Sequence, residues 1–289
     1  MVIIFSSPPF YTSHVKLPIG TDPIPSQIFN NLKFWPYFKD AIGAIDGSHF
    51  HCAPPSYRRP FYRNRKGFVS MNCLFACSFT LTFIYALTGW EGFAANALLW
   101  HDALQKGLVI PDGKYLLGDA GFSASPKLLT PYRGVQYHLA EWGCAHLRFL
   151  FYFILTHWLI LSRPVTKEEL FNLCHAQLRN VIEHIFSVLK RKFQILLLPV
   201  EYNLAIQARL PAALCAIHDF IRDHDPEIND PDNDGADVDQ ENYQGGGHFE
   251  AEGLGADNAE GAAMRDRIAQ DMWEDYQNYL QDNEQEEEE

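Results

Sequence analysis

Ala44-Ile45-Asp46-Gly47-Ser48-His49 is the stretch on which the reading of this chain turns. The apolar run Ala41–Asp46 predicts a buried strand whose exposed end carries the Asp46 carboxylate just before a glycine. Gly118-Asp119-Ala120-Gly121-Phe122 repeats that arrangement: Lys114–Gly118 reads as a short strand, entered from the turn signal Pro111-Asp112-Gly113, that delivers Asp119 to a glycine turn. A third carboxylate, Glu183, lies in Arg179-Asn180-Val181-Ile182-Glu183-His184-Ile185-Phe186 on a long helical pattern. If the three converge, they form a carboxylate cluster able to hold divalent metal.

The surroundings support a sheet for the first two and a helix for the third. Asn72–Phe79 and Thr82–Thr88 are rich in Phe, Ile, Tyr and Thr, and Ser78–Leu81 turns the chain between them. A meander pairing with the Asp46 strand is predicted, broken by Gly89-Trp90-Glu91-Gly92, with a helix over Ala94–Leu104. Thr166-Lys167-Glu168-Glu169 is a capping box, in which Thr166 accepts from the Glu169 N–H and Glu169 reaches back. The helix it opens has apolar positions Leu170, Leu173, Val181, Ile182, Ile185, Leu189 and Phe193, and cannot run intact through Pro199. Glu183 shares a face with Arg179, Phe186 and Lys190 at the border of that stripe. The element order β, ββ, α, β, α, α predicts an α/β fold: a mixed sheet flanked by helices, not a purely parallel unit.

Charge divides the 289-residue chain. Residues 223–289 hold 23 acidic and 2 basic side chains, a net −21, whereas residues 1–222 hold 13 acidic and 21 basic, a net +8. A basic body fits a polyanionic partner. Residues 1–40, rich in proline and aromatics, read as an extended lead-in with one helical turn around Ser26–Lys33. The body spans 41–222, closed by a helix over Leu210–Ile221. Residues 223–261 are acidic, Gly-rich and poor in large apolar groups, a disordered linker by composition. Residues 262–289 regain helical periodicity over Ala262–Asp282, docked on the body or held for a partner, and end in a Glu run. The six cysteines lack paired spacing, so neither a zinc module nor a disulfide framework is indicated. No targeting peptide is visible at the N-terminus. Leu147–Leu161 is nearly all apolar but falls short of the ~20 residues of a membrane span and contains Arg148 and His157, so a buried helix is the better reading.

Tyr57-Arg58-Arg59-Pro60-Phe61-Tyr62-Arg63-Asn64-Arg65-Lys66-Gly67 interleaves cations with aromatics in a turn-prone segment. Arg58, Arg59, Arg63, Arg65 and Lys66 are candidate phosphate contacts; a solvated loop whose rings cover the core edge is the alternative. Lys190, on the Glu183 face, joins them as a candidate DNA contact, with a solvated helix face as the alternative for Lys190, Arg191 and Lys192. His49, His51 and Cys52 are assigned a structural role, because imidazoles there would favour zinc over a hard-oxygen site. Aspartates from two strands and a glutamate from a facing helix suit two Mg²⁺ or Mn²⁺ ions about 4 Å apart, one activating a water or 3′-hydroxyl and the other stabilising the leaving oxygen.

Several blocks together resemble the PIF/Harbinger superfamily of DDE transposases and the nucleases derived from them, especially fungal copies. They are Phe34-Trp35-Pro36-Tyr37-Phe38-Lys39-Asp40, Gly43 through His49, Tyr62 through Gly67, Gly89-Trp90-Glu91-Gly92, Gly118 through Phe122, Pro131-Tyr132-Arg133-Gly134, Lys167 through Asn172, Arg179 through Phe186 and Leu189 through Phe193. The resemblance covers roughly residues 30–222. It implies a ribonuclease-H-like fold, a divalent-metal nuclease or strand-transfer chemistry on double-stranded DNA, and Asp46, Asp119 and Glu183 as the metal-binding triad. It also implies a nuclear setting and a separate DNA-binding partner protein. Three departures stand out. The family's N-terminal helix-turn-helix has almost no room here. Phe93 and Asn96 stand where the family has a serine and an aspartate, which bears on activity. The aromatic stretch within Gly143–Ser162 has no counterpart, and its abrupt composition reads as an insertion or a translated intron that transcript sequencing would distinguish. The competing class is a decayed or domesticated transposase that retains the fold as a DNA- or protein-binding module.

Overall fold

The computed structural model describes residues 1–135, 164–225 and 256–286. The aromatic stretch at 143–162 and most of the acidic linker lie outside them. Five strands form one mixed sheet in the order β3-β2-β1-β4-β5: β1 (Ala41–His51), β2 (Ser70–Cys77), β3 (Phe83–Glu91), β4 (Tyr115–Leu117) and β5 (Leu128–Leu129). β1, β2 and β3 are an antiparallel meander, while β1, β4 and β5 run parallel. This is the α/β, ribonuclease-H-like arrangement that the sequence predicts. Two boundaries move outward here: Gly89-Trp90-Glu91 continues β3, because Trp90 and Glu91 pair with Asn72 and Met71 instead of breaking the ladder, and the last helix of the body begins at Leu204, not Leu210.

Alternation along the strands decides which face receives which helix. On one face Ala44, Cys73, Phe75, Cys77, Tyr115 and Leu117 pack under α6 (Lys167–Lys192) through Phe171, Leu178, Ile182, Ile185, Phe186 and Leu189. On the other, Ile45, Leu74, Ala76 and Leu116 meet α5 (Asn96–Gln105) through Leu99 and Ala103. Both sides of the sheet are thus sealed.

The lead-in is more structured than its composition implies. Besides the expected turn at α3 (Ser26–Phe29), short helices α1 (Val2–Phe5) and α2 (Phe10–His14) pack on α7 (Leu204–His224). Phe10, for instance, lies 5.8 Å from Phe220 and 4.9 Å from Phe5. Among the described residues α7 alone is long and apolar enough to cross a membrane. Its packing is that of a core helix: it lies on β3 and carries the buried His218 and Asp219. Both Asp219 oxygens accept from the Phe83 N–H, at 3.0 and 3.1 Å, tying α7 to the start of β3.

Burial pushes the Asp219 carboxyl up to about 8. Its folded value exceeds its unfolded one, so from about pH 4 to about pH 8 the folded chain keeps a proton that the unfolded chain releases. This residue's contribution to stability is therefore full at low pH and falls as pH rises through that window. The urea midpoint of Asp219→Asn is expected to change less between pH 5 and pH 7.5 than that of the wild type, which equilibrium unfolding by circular dichroism measures.

The C-terminal helix α8 (Ala259–Glu286) docks on the body against α6 and β5. Ala269 and Met272 are buried; Tyr37 Oη donates to Asp275 (2.5 Å), Tyr132 Oη to Asp266 (2.7 Å) and Lys167 Nζ to Gln270 (3.1 Å).

Candidate active site

The register of the parallel pair places the first two carboxylates. Ala44 is opposite Leu117, the last residue of β4. Asp46 and Asp119 each lie two residues beyond that pair, so they emerge side by side on the face that α6 covers. Asp46 is not at a strand end, as the sequence reading had it. β1 continues to His51 paired with β2, and Asp46 becomes accessible because β4, its other neighbour, stops first. Gly47 follows for a steric reason: a Cβ there would lie 2.3 Å from Asn96 Oδ1. Asn96 thus packs beside Gly47 on the sheet face opposite Asp46, where it accepts from Asn72 Nδ2 at 3.4 Å; Phe93 is exposed to solvent.

Local backbone holds each aspartate. The Gly47 N–H donates to Asp46 Oδ1 at 2.7 Å, and the Gly121 N–H to Asp119 Oδ1 at 3.0 Å. The second glycine motif is therefore an Asp-centred turn.

Glu183 arrives on α6. Thr166 caps that helix, its hydroxyl accepting from the Glu169 N–H at 3.2 Å, while Glu169 reaches one residue further back than in a standard capping box, to the Val165 N–H at 2.7 Å. Asn172 bonds the Tyr132 N–H (2.8 Å) and C=O (3.0 Å), and His175 bonds the Leu129 C=O (3.0 Å), fixing the helix to the end of β5. About three turns after His175, Phe186 packs 5.5 Å from Phe75 of β2. Glu183 lies between these anchors.

Arg179 joins the set. Its guanidinium donates to Asp46 Oδ2 at 3.1 Å and pairs with Glu183 Oε1. At 16% side-chain exposure it is the least exposed of the three, against 19% for Asp46 and 34% for Glu183. Burial, then the Asp119 charge, raises the Asp46 carboxyl to about 7, against the pull of Arg179 and the Gly47 N–H. Burial likewise raises Asp119, opposed by Arg179 and the Gly121 N–H. Sequence reasoning placed Arg179 on the Glu183 face but missed that it spans to Asp46. Its position one turn before Glu183 was the available signal.

The candidate DNA contacts divide. Lys190 is half-buried with its ammonium 5.3 Å from the centre of the Phe50 ring. Burial lowers it to about 8, with the Asp46 charge opposing and Lys66 adding to the effect. Lys66 and Lys190 also act on His49, whose pKa burial depresses to about 4; its Nδ1 lies 3.1 Å from Ser70 Oγ, a structural role. Lys66 therefore belongs to the site's surroundings. Arg59, Arg63 and Arg65 are exposed, and Arg63 closes its own turn by donating to the Gly67 C=O at 2.7 Å. Arg58 pairs with Glu91 at 3.2 Å and lines a cleft of about 480 Å³ with Tyr57, Arg59 and Tyr202.

The donor set suits a hard cation. All three side chains offer carboxylate oxygen, and three carboxylates face one guanidinium, leaving charge that a divalent ion would balance. Among the described residues no three of His, Cys, Asp and Glu are close enough to hold a metal ion as they stand. Arg179 takes up the Glu183 carboxylate and one Asp46 oxygen.

The sequence profile of the DDE superfamily endonucleases matches residues 45–219, which include Asp46, Asp119 and Glu183. The chain belongs to the DDE superfamily of endonucleases. It is similar to "Putative nuclease HARBI1" of human and rat, each 25% identical over 194 residues, and of mouse, 26% identical over the same length. The aligned stretch covers 65% of this chain and 47% of each of these relatives, so the chain spans about half the length of the curated proteins it matches. No solved structure matches it. Membership of this superfamily and similarity to Harbinger-derived nucleases support the resemblance drawn from the sequence blocks.

Proposed function

We propose that this DDE endonuclease domain cleaves phosphodiester bonds of double-stranded DNA using Mg²⁺ or Mn²⁺ held by Asp46, Asp119 and Glu183. The observation that carries this reading is the pairing of Asp46 and Asp119 by parallel register beneath an α6 that presents Arg179 and Glu183. Bound ions would activate a water or a 3′-hydroxyl and neutralise charge developing on the scissile phosphate. The chain's own groups do the rest. The Gly47 and Gly121 N–H groups orient the two aspartates, leaving each a second oxygen for a ligand. Arg179 bridges Asp46 and Glu183, and its release from both frees the two carboxylates for a bound ion. Lys66 and Lys190, with the exposed Arg59, Arg63 and Arg65, supply positive charge along which a phosphate backbone can lie. Arg58, committed to Glu91, contributes through the Tyr57–Tyr202 cleft. Strand transfer, a nuclear setting and a separate DNA-binding partner protein extend the same reading.

A second reading, a transposase-derived module that binds without cutting, draws support from Asn96 at the family's aspartate position beside Gly47. Nicking of supercoiled plasmid by the purified chain separates the two. Mn²⁺-dependent nicking that EDTA stops and that Asp46→Ala lacks is the expected outcome. Wild type that nicks no faster than Asp46→Ala, while still retarding duplex DNA in a gel, favours the binding module.

A further inference from the structure

Asp119 sits on a weakly supported loop. β4 is only three residues long, and the chain from Gly118 to Ser125 returns to β5 with two glycines. Its inner side is fixed by Phe122, which is fully buried against the α5 face. Its outer side is fixed from two distant parts of the chain. Arg133 donates from Nε to the Ala120 C=O (3.1 Å) and from Nη2 to the Phe122 C=O (2.8 Å), the carbonyls on either side of Gly121. Asp257, on the segment entering α8, lies 3.5 Å from Arg133 Nη2 and accepts from the Ala124 N–H at 2.9 Å through the same Oδ1. Its other oxygen accepts from Arg265 Nη2 at 3.1 Å.

The rest of the junction closes around these contacts. The Asn258 N–H donates to the Ala124 C=O at 2.9 Å. Gly261 packs so tightly on the loop that a Cβ would lie 2.4 Å from Ser125 N. The Arg265 guanidinium lies 4.4 Å from the centre of the Tyr132 ring, next to Arg133. Asp257 and Arg133 are 21% and 37% exposed, so the pair is a partly desolvated bridge with backbone on both sides.

We propose that Asp257 is a positioning residue for Asp119, acting through Arg133 and Ala124 to hold the loop in the form that presents the carboxylate. The physical link is short. The Gly121 N–H that orients Asp119 Oδ1 lies between the two carbonyls that Arg133 grips. Without Asp257, Arg133 loses its counter-ion and Ala124 its acceptor, and the outer side of the loop is released. Asp257 lies outside the profile match at 45–219, so the site's geometry is completed by a part of the chain beyond the superfamily core. This proposal rests on the metal-site reading above.

The test uses the full-length chain and two measurements, hydrogen exchange of the 118–125 amides without metal and Mn²⁺ affinity by isothermal titration. Asp257→Ala is expected to speed exchange across 118–125 and to raise the Mn²⁺ Kd about tenfold, the lower end of what lost outer-shell support costs a metal site. Asp257→Asn, which keeps an acceptor for Ala124 but no charge for Arg133, should fall between and carries the test if the alanine variant does not fold. Asp275→Asn alters the same helix at its Tyr37 contact and should leave both readouts at wild-type values. Equal exchange and equal Mn²⁺ affinity in Asp257→Ala and wild type, with Mn²⁺ binding lost in Asp46→Ala, overturn this proposal alone. Loosening of the loop by Asp275→Asn to the same degree also overturns it, since the effect would then come from helix docking in general. Wild type that binds no Mn²⁺ overturns the metal-site reading and this proposal with it.

Discussion

Asp119→Asn is expected to lower Mn²⁺-dependent plasmid nicking by about a thousandfold, with Asp46→Asn close behind. The size follows from the charge that each residue contributes. Metal ions stabilise a phosphoryl transition state by several kcal/mol, and about 4 kcal/mol corresponds to three decades in rate. Asparagine keeps the shape and one acceptor oxygen, so the Gly121 N–H still finds Oδ1 and the fold is undisturbed. What it removes is the negative charge. Removing Asp46's charge leaves Arg179 with Glu183 as its carboxylate partner in the site, whereas removing Asp119's leaves the Arg179 bridge to Asp46 and Glu183 intact. Initial nicking rates over a Mn²⁺ titration measure both variants. A residual rate above a tenth of wild type for Asp119→Asn would remove that carboxylate from the proposed site.

The second large effect is on stability. Gly43→Ala is expected to cost about 3 kcal/mol, the upper end of overpacking penalties, and to lower the melting temperature by roughly 10 °C. A Cβ at Gly43 would lie 2.0 Å from the Cys77 C=O and 2.9 Å from its carbon. Those are backbone atoms of the neighbouring strand, with no flexible side chain to move aside. Gly43 also sits where β1 shifts register against β4, one residue before the Ala44–Leu117 pair that sets the level of both aspartates. Relief of the clash must displace β1 from β2 or from β4, and either movement reaches Asp46. Gly20→Ala is the control: its Cβ would meet Pro111 Cβ at an ordinary 3.6 Å, and a melting temperature close to wild type is expected by differential scanning calorimetry.

How far the sequence carried the reading depends on the range of the interaction concerned. β2, β4, α5, α6 and the Thr166 cap were legible because alternation, helical period and capping act within a few residues. Asp46 was legible as a site residue but not as a mid-strand one, since what exposes it is the short length of β4, a neighbour some seventy residues on. α1 and α2 were missed because their helical form depends on α7, with Phe10 lying against Phe220. The same holds at the site. Arg179 was seen on the Glu183 face, yet its bridge to Asp46 needs the sheet beneath it. Nothing in the acidic, Gly-rich run before Asp257 marks that residue, because its partners Arg133 and Ala124 are more than a hundred residues away.

Asn172 joins two positions that the chain itself separates widely. It bonds both backbone groups of Tyr132 and, at 3.4 Å, the C=O of Val135. One partner precedes the aromatic stretch and the other follows it, so the ends of the intervening segment are fastened to each other at the foot of α6. The closure entropy of such a segment grows only with the logarithm of its length. Chain can therefore be added or removed between Val135 and Thr166 with little change in the position of Glu183. Changes of length in this region leave the mutual placement of Asp46, Asp119 and Glu183 to the sheet and to α6.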